Sequence, residues 1–195
     1  MMLIGTDGGD ARSRSKAAAA EFDGSTWTEV SGMPGGPLAD VWGSSVSDVY
    51  AVGTGTIGVS PVVRYNGSAW SSVDIGTFEL LELRSVWGSS GDDVYAVGSQ
   101  LFGGPAALRY DGSAWDNVEL GAIGGGVELR GVGGRSADDV YIVGANGDSG
   151  ILLHGPVGGF TEVDGPFDFP LNDVWVASTG EVFAVGEGGV AYCTY

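Results

Sequence analysis

Aromatic residues stand beside carboxylate or amide residues in several segments of this sequence, and that combination can hold a ligand. A ring stacks on the face of a sugar, while carboxylates and amides bond to the sugar hydroxyls. The same residue types also close loops, because Phe covers the rim of a core and Asp or Asn bonds to its own backbone. The candidate ligand-binding residues are Phe78, Glu79, Phe102, Asn146, Asp148, Phe167, Asp168 and Phe169.

Patterns for catalysis or metal binding are weaker. The 25 Asp and Glu residues include no recognisable acid/base pair, because the sequence does not give the separation of two carboxyl groups. His154 and Cys193 are the single residues of their types, so neither has a second His or Cys to share a metal with. Asp7 and Asp10 lack the rest of a calcium-loop pattern. We therefore predict no catalytic residue, no metal and no cofactor.

The charge of the chain limits its partners. Asp and Glu outnumber Lys and Arg by 25 to 8, which gives a net charge of −17 at pH 7. Such a field repels phosphate backbones and anionic lipids, so nucleic acid is not expected as a partner. Membrane insertion is not expected either, because no apolar run approaches the length of a membrane span. A glycan or a protein remains as the expected ligand.

A repeat occurs four times without gaps. The four copies of the first block (LADVWGSSVSDVYAVG, LRSVWGSSGDDVYAVG, LRGVGGRSADDVYIVG and LNDVWVASTGEVFAVG) begin at residues 38, 83, 129 and 171. A second block follows the first two copies, as RYNGSAW and RYDGSAW. A divergent version follows the third copy, with His154 in the place of the Tyr, and a related segment (EFDGSTW) precedes the first copy. A repeat of this length indicates stacked structural units.

Each repeat contains the signals of four short strands, which we label a to d. Strand b (DVYAVG) is apolar on both faces, which is typical of a strand between two sheets, and it predicts buried equivalents at Val52, Val97, Val143 and Val185. Strands c and d meet at Asn-Gly or Asp-Gly, a hairpin signal that predicts two turn residues with positive φ. Four antiparallel strands in each unit predict an all-β fold, and more specifically a β-propeller rather than a β-sandwich.

The boundaries of the repeat predict one propeller domain of about five units, three complete and two partial. The units cover residues 1–37, 38–82, 83–128, 129–170 and 171–195. Residue 1 falls inside a strand b, and Tyr195 falls at the end of a strand c, so we expect 18 strands. Four blades that close by exchanging terminal strands are the alternative. Partial units leave sheet edges open, and we predict that copies of the chain self-associate through them.

The two blocks together resemble the repeats of bacterial β-propeller proteins, most of which are uncharacterised. They are also similar, more loosely, to tectonin-type lectin, kelch and sialidase repeats. The resemblance spans nearly the whole chain and implies a propeller with an extracellular or cell-surface location. The first ten residues lack the basic flank and the long apolar run of a signal peptide, so none is expected in this chain.

The lengths of the loops predict which end of the blades binds a ligand. The a–b connection has the same length in all four copies and the c–d turn is nearly constant, whereas the b–c and d–a connections vary. Both variable connections emerge at one end of an antiparallel blade, and binding residues concentrate on variable loops. We predict a non-enzymatic binding or adhesion scaffold; a purely structural repeat domain of a larger surface protein and a hydrolase or lyase with its site at the channel mouth are the alternatives.

Overall fold

A computed structural model describes residues 2–6, 17–30, 32–76, 80–155 and 159–193 of the chain. These residues form 18 strands in five sheets, and they include no helix that could cross a membrane. Sheet 1 contains β1 (Met2–Thr6), β2 (Ala17–Phe22) and β3 (Trp27–Val30). Sheet 2 contains β4 (Leu38–Ser45), β5 (Asp48–Gly53), β6 (Val62–Tyr65) and β7 (Trp70–Ser72). Sheet 3 contains β8 (Leu81–Ser90), β9 (Asp93–Gln100), β10 (Pro105–Tyr110) and β11 (Trp115–Asn117). Sheet 4 contains β12 (Val127–Ser136), β13 (Asp139–Asn146), β14 (Ser149–Gly155) and β15 (Thr161–Glu162). Sheet 5 contains β16 (Leu171–Val176), β17 (Val182–Gly186) and β18 (Gly189–Cys193).

Each sheet is an antiparallel meander whose strands pair in chain order. The expected strand count and the all-β fold are therefore confirmed, with three four-stranded sheets and a three-stranded sheet at each end. The alternative of four blades with exchanged terminal strands is not formed, because β3 and β18 belong to different sheets.

The sheets stack face to face, and strand b lies between two apolar layers. Tyr95 and Val97 of β9 are buried in one cluster with residues of sheet 4, whereas Val94 and Ala96 are buried in the cluster shared with sheet 2. This explains why strand b has no polar face. The inner strands also lie side by side, since β8 packs on both β4 and β12, and β12 packs on β16.

Small residues let consecutive inner strands approach closely. A Cβ atom at Gly88 would lie 2.6 Å from the ring of Trp42, and one at Gly134 would lie 2.7 Å from the ring of Trp87. The inner Trp of each of these two sheets thus covers a Gly of the following sheet. A larger residue at either Gly would push the two sheets apart.

Sheet 5 differs from this pattern on one face. Val52, Val97 and Val143 are fully buried as expected, but the equivalent Val185 is 42% exposed, so that part of the prediction is wrong. Trp175 is 62% exposed on the same face. In sheets 2 to 4 the equivalent face packs against the next sheet, and no such sheet covers this face among the described residues.

The turns between strands c and d also differ from the expectation. In sheets 1 to 3 they are four-residue loops such as Asp111–Ala114, in which Gly112 has a φ of 93°; no described residue other than Gly has a positive φ. The Asp111 carboxylate accepts hydrogen bonds from the backbone N–H groups of Ser113 and Ala114, at 2.8 and 3.0 Å. The side chain therefore closes the turn, and only the Gly needs a left-handed backbone conformation.

An Asp carboxylate of strand b contacts a side-chain nitrogen of strand c in each four-stranded sheet. Asp48 binds Arg64 and Asp93 binds Arg109, each at 2.8 Å from carboxylate oxygen to Nε. In sheet 4 Asp139 lies 3.0 Å from Nε2 of His154. His154 therefore occupies the position of the arginines; Gly155 occupies the position of the repeat Tyr, because it pairs with Val140 as Tyr110 pairs with Val94. Our assignment of His154 to the Tyr position is thus corrected.

Candidate binding surface

A groove of about 560 Å³ opens at the variable end of sheet 3. It lies between the b–c loop of this sheet and the chain segments that enter and leave it. The described lining residues are Leu80, Leu81, Gln100, Leu101, Phe102, Pro105, Ala106, Ala107, Asn117, Val118 and Leu120. We refer to it below as the sheet 3 groove.

Backbone hydrogen bonds fix the loop that forms one wall of the groove. The N–H of Leu101 donates to the carbonyl of Leu80 at 2.9 Å, which ties the b–c loop to the segment before β8. The N–H of Gln100 donates to the carbonyl of Gly104 at 2.9 Å, and the N–H of Gly103 donates to the carbonyl of Gln100 at 3.0 Å. The tight loop leaves the side chains of Leu101 and Phe102 in solvent.

Phe102 is the most exposed aromatic residue among the described residues, at 88% of its surface, and Leu101 beside it is exposed to 47%. The hydrogen-bonded loop holds two neighbouring apolar side chains in water, which is unfavourable for the free energy of the folded chain. Contiguous exposed apolar surface commonly marks an interaction site. The groove floor continues this surface, because Ala106, Ala107 and Leu81 are apolar and buried.

The chemistry of the groove is apolar with two amides. None of its described lining residues carries an ionisable side chain, and Gln100 and Asn117 supply the polar side chains. The Gln100 amide nitrogen donates to the carbonyl of Pro105 at 3.4 Å, a long contact that leaves the amide able to bond elsewhere. Such a surface suits apolar side chains and the peptide groups between them.

The structure brings one of the eight predicted binding residues, Phe102, into this groove. Asn146 and Asp148 are exposed around the β13–β14 turn. Phe167 and Phe169 pack against the buried cluster of sheets 4 and 5, as loop-closing residues do, and Asp168 between them is exposed. Phe78 and Glu79 lie outside the described residues.

Aliphatic residues complete the groove, and reasoning from the sequence did not select them. Leu80, Leu101 and Leu120 are not among the predicted binding residues, because aromatic and polar side chains were taken as the signal of a binding site. A signal was present: Leu101 and Phe102 form an apolar pair inside a loop whose length varies between repeats. An apolar pair at such a position is better evidence for contact with a partner than an isolated Asp.

A second feature, on the inner strands, is the partly buried carboxyl of Asp40. It accepts hydrogen bonds from the Val86 N–H at 2.9 Å and from the Ser85 hydroxyl at 3.0 Å, and so joins sheet 2 to sheet 3. Burial raises the pKa of Asp40 despite these bonds, and the charge of Asp173 raises it further. The residue has a structural role, because its oxygens are engaged between two blades.

Arginine–carboxylate pairs surround the start of the inner strands at the same end as the sheet 3 groove. Arg84 lies 3.7 Å from Glu128, which also lies 3.5 Å from Arg130. Arg130 further lies 3.6 Å from Glu187 and donates to the amide oxygen of Asn172 at 2.8 Å. The described residues include no cluster of three or more His, Cys, Asp or Glu placed to hold a metal.

Comparison with solved structures identifies the architecture. The chain is similar to "YCF48 bound to D1 peptide", with a TM-score of 0.57 and 14% identity over 80% of this chain and 50% of that one. It is also similar to the GH74 xyloglucanase from Xanthomonas campestris, with a TM-score of 0.63 and 13% identity over 98% of this chain and 34% of that one. These proteins are β-propellers. The fold is a β-propeller.

A third similar structure is the extracellular domain of a one-component system from B. thetaiotaomicron, with a TM-score of 0.63 and 10% identity over 92% of this chain and 25% of that one. The chain thus spans between a quarter and a half of the length of these three propellers. No protein-family model and no curated protein matches the sequence. At these identities the similarity concerns the fold, which hosts both binding proteins and glycoside hydrolases.

Proposed function

We propose that this propeller is a non-enzymatic binding scaffold whose sheet 3 groove holds an apolar, extended segment of a protein partner. The observation that carries the proposal is the exposed Leu101–Phe102 pair on a hydrogen-bonded loop beside an apolar floor. Burial of a Phe and a Leu removes enough apolar surface from water to anchor a peptide. The two amides of the groove bond to the backbone of the bound segment.

A peptide fits this groove better than a glycan does. Sugar hydroxyls need several hydrogen-bonding side chains, and an unpaired hydroxyl against Leu or Ala loses its bonds to water. One of the similar propellers, YCF48, is bound to a peptide in its structure, which agrees with this choice of ligand class. The alternatives are a glycan partner, a purely structural role and a hydrolase or lyase activity, and the experiment below distinguishes a peptide from a glycan.

The proposal is tested by selecting peptides from a random display library on the whole chain. Binding of an enriched peptide is then measured by isothermal titration calorimetry for the wild type and for the double variant Leu101→Asp with Phe102→Asp. We expect the enriched peptides to be apolar and the double variant to bind at least about tenfold more weakly, because one anchor residue contributes more than 1 kcal/mol.

Ile57 supplies the matched control, because it lies in the b–c loop of sheet 2 at the same end of the molecule and is 86% exposed. Ile57→Asp should bind the enriched peptide like the wild type. If no peptide is enriched, or if the double variant binds as well as the wild type, the proposal is wrong. Binding of a neutral oligosaccharide that the double variant loses would favour the glycan alternative instead.

A further inference from the structure

A second groove, of about 330 Å³, lies at the opposite end of the blades between sheets 1 and 2. The rings of Tyr65 and Trp70 form one side, with their centroids 5.5 Å apart. The exposed carboxylate of Glu21 is at the other side. The remaining described lining residues are Val30, Gly32, Ser68 and Ala69. We call this the sheet 1–2 groove.

The same place between sheets 2 and 3 is filled by the protein itself. There the guanidinium of Arg64 lies 4.9 Å from the centroid of the Tyr50 ring and 5.9 Å from that of the Tyr110 ring. The side chain of Ile75 is buried in the same interface. The repeat therefore contains a position where a cation lies against aromatic rings between two blades.

Two differences in sequence empty this position between sheets 1 and 2. Glu21 precedes Phe22 as Arg64 precedes Tyr65, and both aromatic residues pair with the Trp that begins the next strand, so Glu21 is the equivalent of Arg64. Gly32 stands five residues after Trp27, as Ile75 stands five after Trp70. A Cβ atom at Gly32 would meet nothing within 4 Å, which agrees with an open groove.

The replacement also reverses the charge. Where sheets 2 and 3 carry a guanidinium, sheets 1 and 2 carry a carboxylate, and within the described part of the chain Glu21 has no ion-pair partner. Of the two rings near Arg64, that of Tyr110 has an equivalent here in Tyr65, whereas Met2 stands at the position of Tyr50 because it pairs with Glu21. The groove thus keeps the ring that the following sheet supplies and gains a counter-ion for a cation. The net charge of −17 further favours the approach of a positive ligand.

We propose that the sheet 1–2 groove binds a guanidinium group, supplied by an arginine side chain of a protein partner. The carboxylate of Glu21 pairs with the guanidinium, and the flat face of the guanidinium lies against Tyr65 or Trp70, where the ring of Tyr110 lies near Arg64 in the next interface. Arginine suits such a site better than lysine, because its planar group pairs with a carboxylate and stacks on a ring at the same time. This site is separate from the sheet 3 groove and does not depend on it.

The probes for this proposal are N-acetyl-arginine amide and N-acetyl-citrulline amide, which have nearly the same shape and differ in charge. Binding to the whole chain is followed by NMR chemical shifts of the backbone and of the Trp indole N–H groups. We expect the arginine probe to shift the signals of Glu21, Tyr65 and Trp70, and to bind at least about fivefold more tightly than the citrulline probe, as a cation–π contact at a partly exposed site predicts.

Three variants locate the effect. Glu21→Gln should weaken binding of the arginine probe, and Glu21→Arg should abolish it because the chain then supplies its own guanidinium. Glu29→Gln removes the same charge from a neighbouring strand on the other face of sheet 1, since Glu29 pairs with Ala20 and Glu21 pairs with Thr28, and it should bind like the wild type.

The proposal is wrong if the two probes bind equally tightly, or if Glu21→Gln and Glu29→Gln weaken binding of the arginine probe equally. It is also wrong if the chemical shifts that the arginine probe changes lie outside the groove. Far-UV circular dichroism and the melting temperature of each variant establish that it is folded. The double variant of Leu101 and Phe102 should still bind the arginine probe, so failure at one groove is distinguishable from failure at the other.

Discussion

Individual carboxyl groups of this chain respond to folding in opposite directions. The pKa of Asp40 is raised by burial between two blades, whereas the pKa of Asp111 is lowered to about 2, chiefly by the Ala114 N–H bond and then by the bonds from Ser113. A raised pKa means that the folded state binds the proton more tightly than the unfolded state does, and a lowered pKa means the reverse. The two residues therefore contribute opposite pH dependences to stability.

For Asp40→Asn we expect the variant to gain stability relative to the wild type as pH rises. The protonated carboxyl is favoured in the folded state, so its contribution is complete below the unfolded pKa near 3.8 and is lost as pH rises through the raised folded pKa. Asn cannot ionise and keeps an oxygen for the Val86 N–H. Urea denaturation between pH 4 and pH 7 measures the difference.

Asp111→Asn is the control with the opposite sign. Its carboxylate stabilises the turn above the unfolded pKa near 3.8, and that contribution is lost as pH falls toward about 2. The wild type should therefore lose stability relative to Asp111→Asn on acidification. Parallel pH profiles for the two variants would show that the surroundings of Asp40 do not penalise its charge.

At the scale of the strands and turns, the repeat allowed the strands to be predicted but not their side-chain contacts. Strand b was recognisable because it is apolar on both faces. The c–d turn was assigned the wrong backbone, because Asn-Gly and Asp-Gly also occur in longer loops that the Asp side chain closes. His154 was assigned to the Tyr position, one residue away from its true position, because both residues have a ring. The structure shows that it occupies the arginine position, because His154 pairs with Tyr141 as Arg109 pairs with Tyr95.

The ion pair between strands b and c yields a prediction at this scale. Asp93 is buried and binds Arg109, so Asp93→Ala leaves a half-buried guanidinium without its partner and should cost about 2 kcal/mol of unfolding free energy. Glu82→Ala removes the carboxylate of the more exposed Arg84–Glu82 pair, which spans 3.4 Å, and should cost less than about 1 kcal/mol. Chemical denaturation of both variants compares the pairs, and equal costs would contradict the structural role of Asp93.

At the scale of the whole molecule, the five-sheet arrangement followed from the repeat, and the functional surface did not. The repeat specifies what all blades share, whereas a binding site arises from what one blade does differently. Phe102 was selected from the sequence because it is an aromatic residue in a variable loop, but its neighbours Leu80 and Leu120 come from connections on either side of sheet 3. Their convergence depends on how the sheets stack.

The exposed face of sheet 5 leads to a prediction about assembly. Trp175 and Val185 occupy positions that are packed against a following sheet in sheets 2 and 3, and Trp175 contacts Phe183 with ring centroids 5.7 Å apart. We expect copies of the chain to associate through this face, because apolar burial of this kind stabilises the other blade interfaces.

Light scattering after size-exclusion chromatography, at several protein concentrations, measures this association. Trp175→Asp should shift the mass toward that of a single chain. Val46→Asp is the matched control, because Val46 is an 88% exposed apolar residue in the a–b turn of sheet 2. A wild type that stays monomeric at all concentrations would rule out self-association.

Hydrogen–deuterium exchange on the complex with a selected peptide tests the assignment of binding to the variable end most directly. The amides of Gln100, Leu101 and Gly103 close the loop of the sheet 3 groove, and a bound peptide covers them. We predict that the peptide slows exchange in the segment from Ser99 to Pro105 and around Leu80 and Leu120. Protection confined to the constant end, in turns such as Asp111–Ala114, would contradict the assignment.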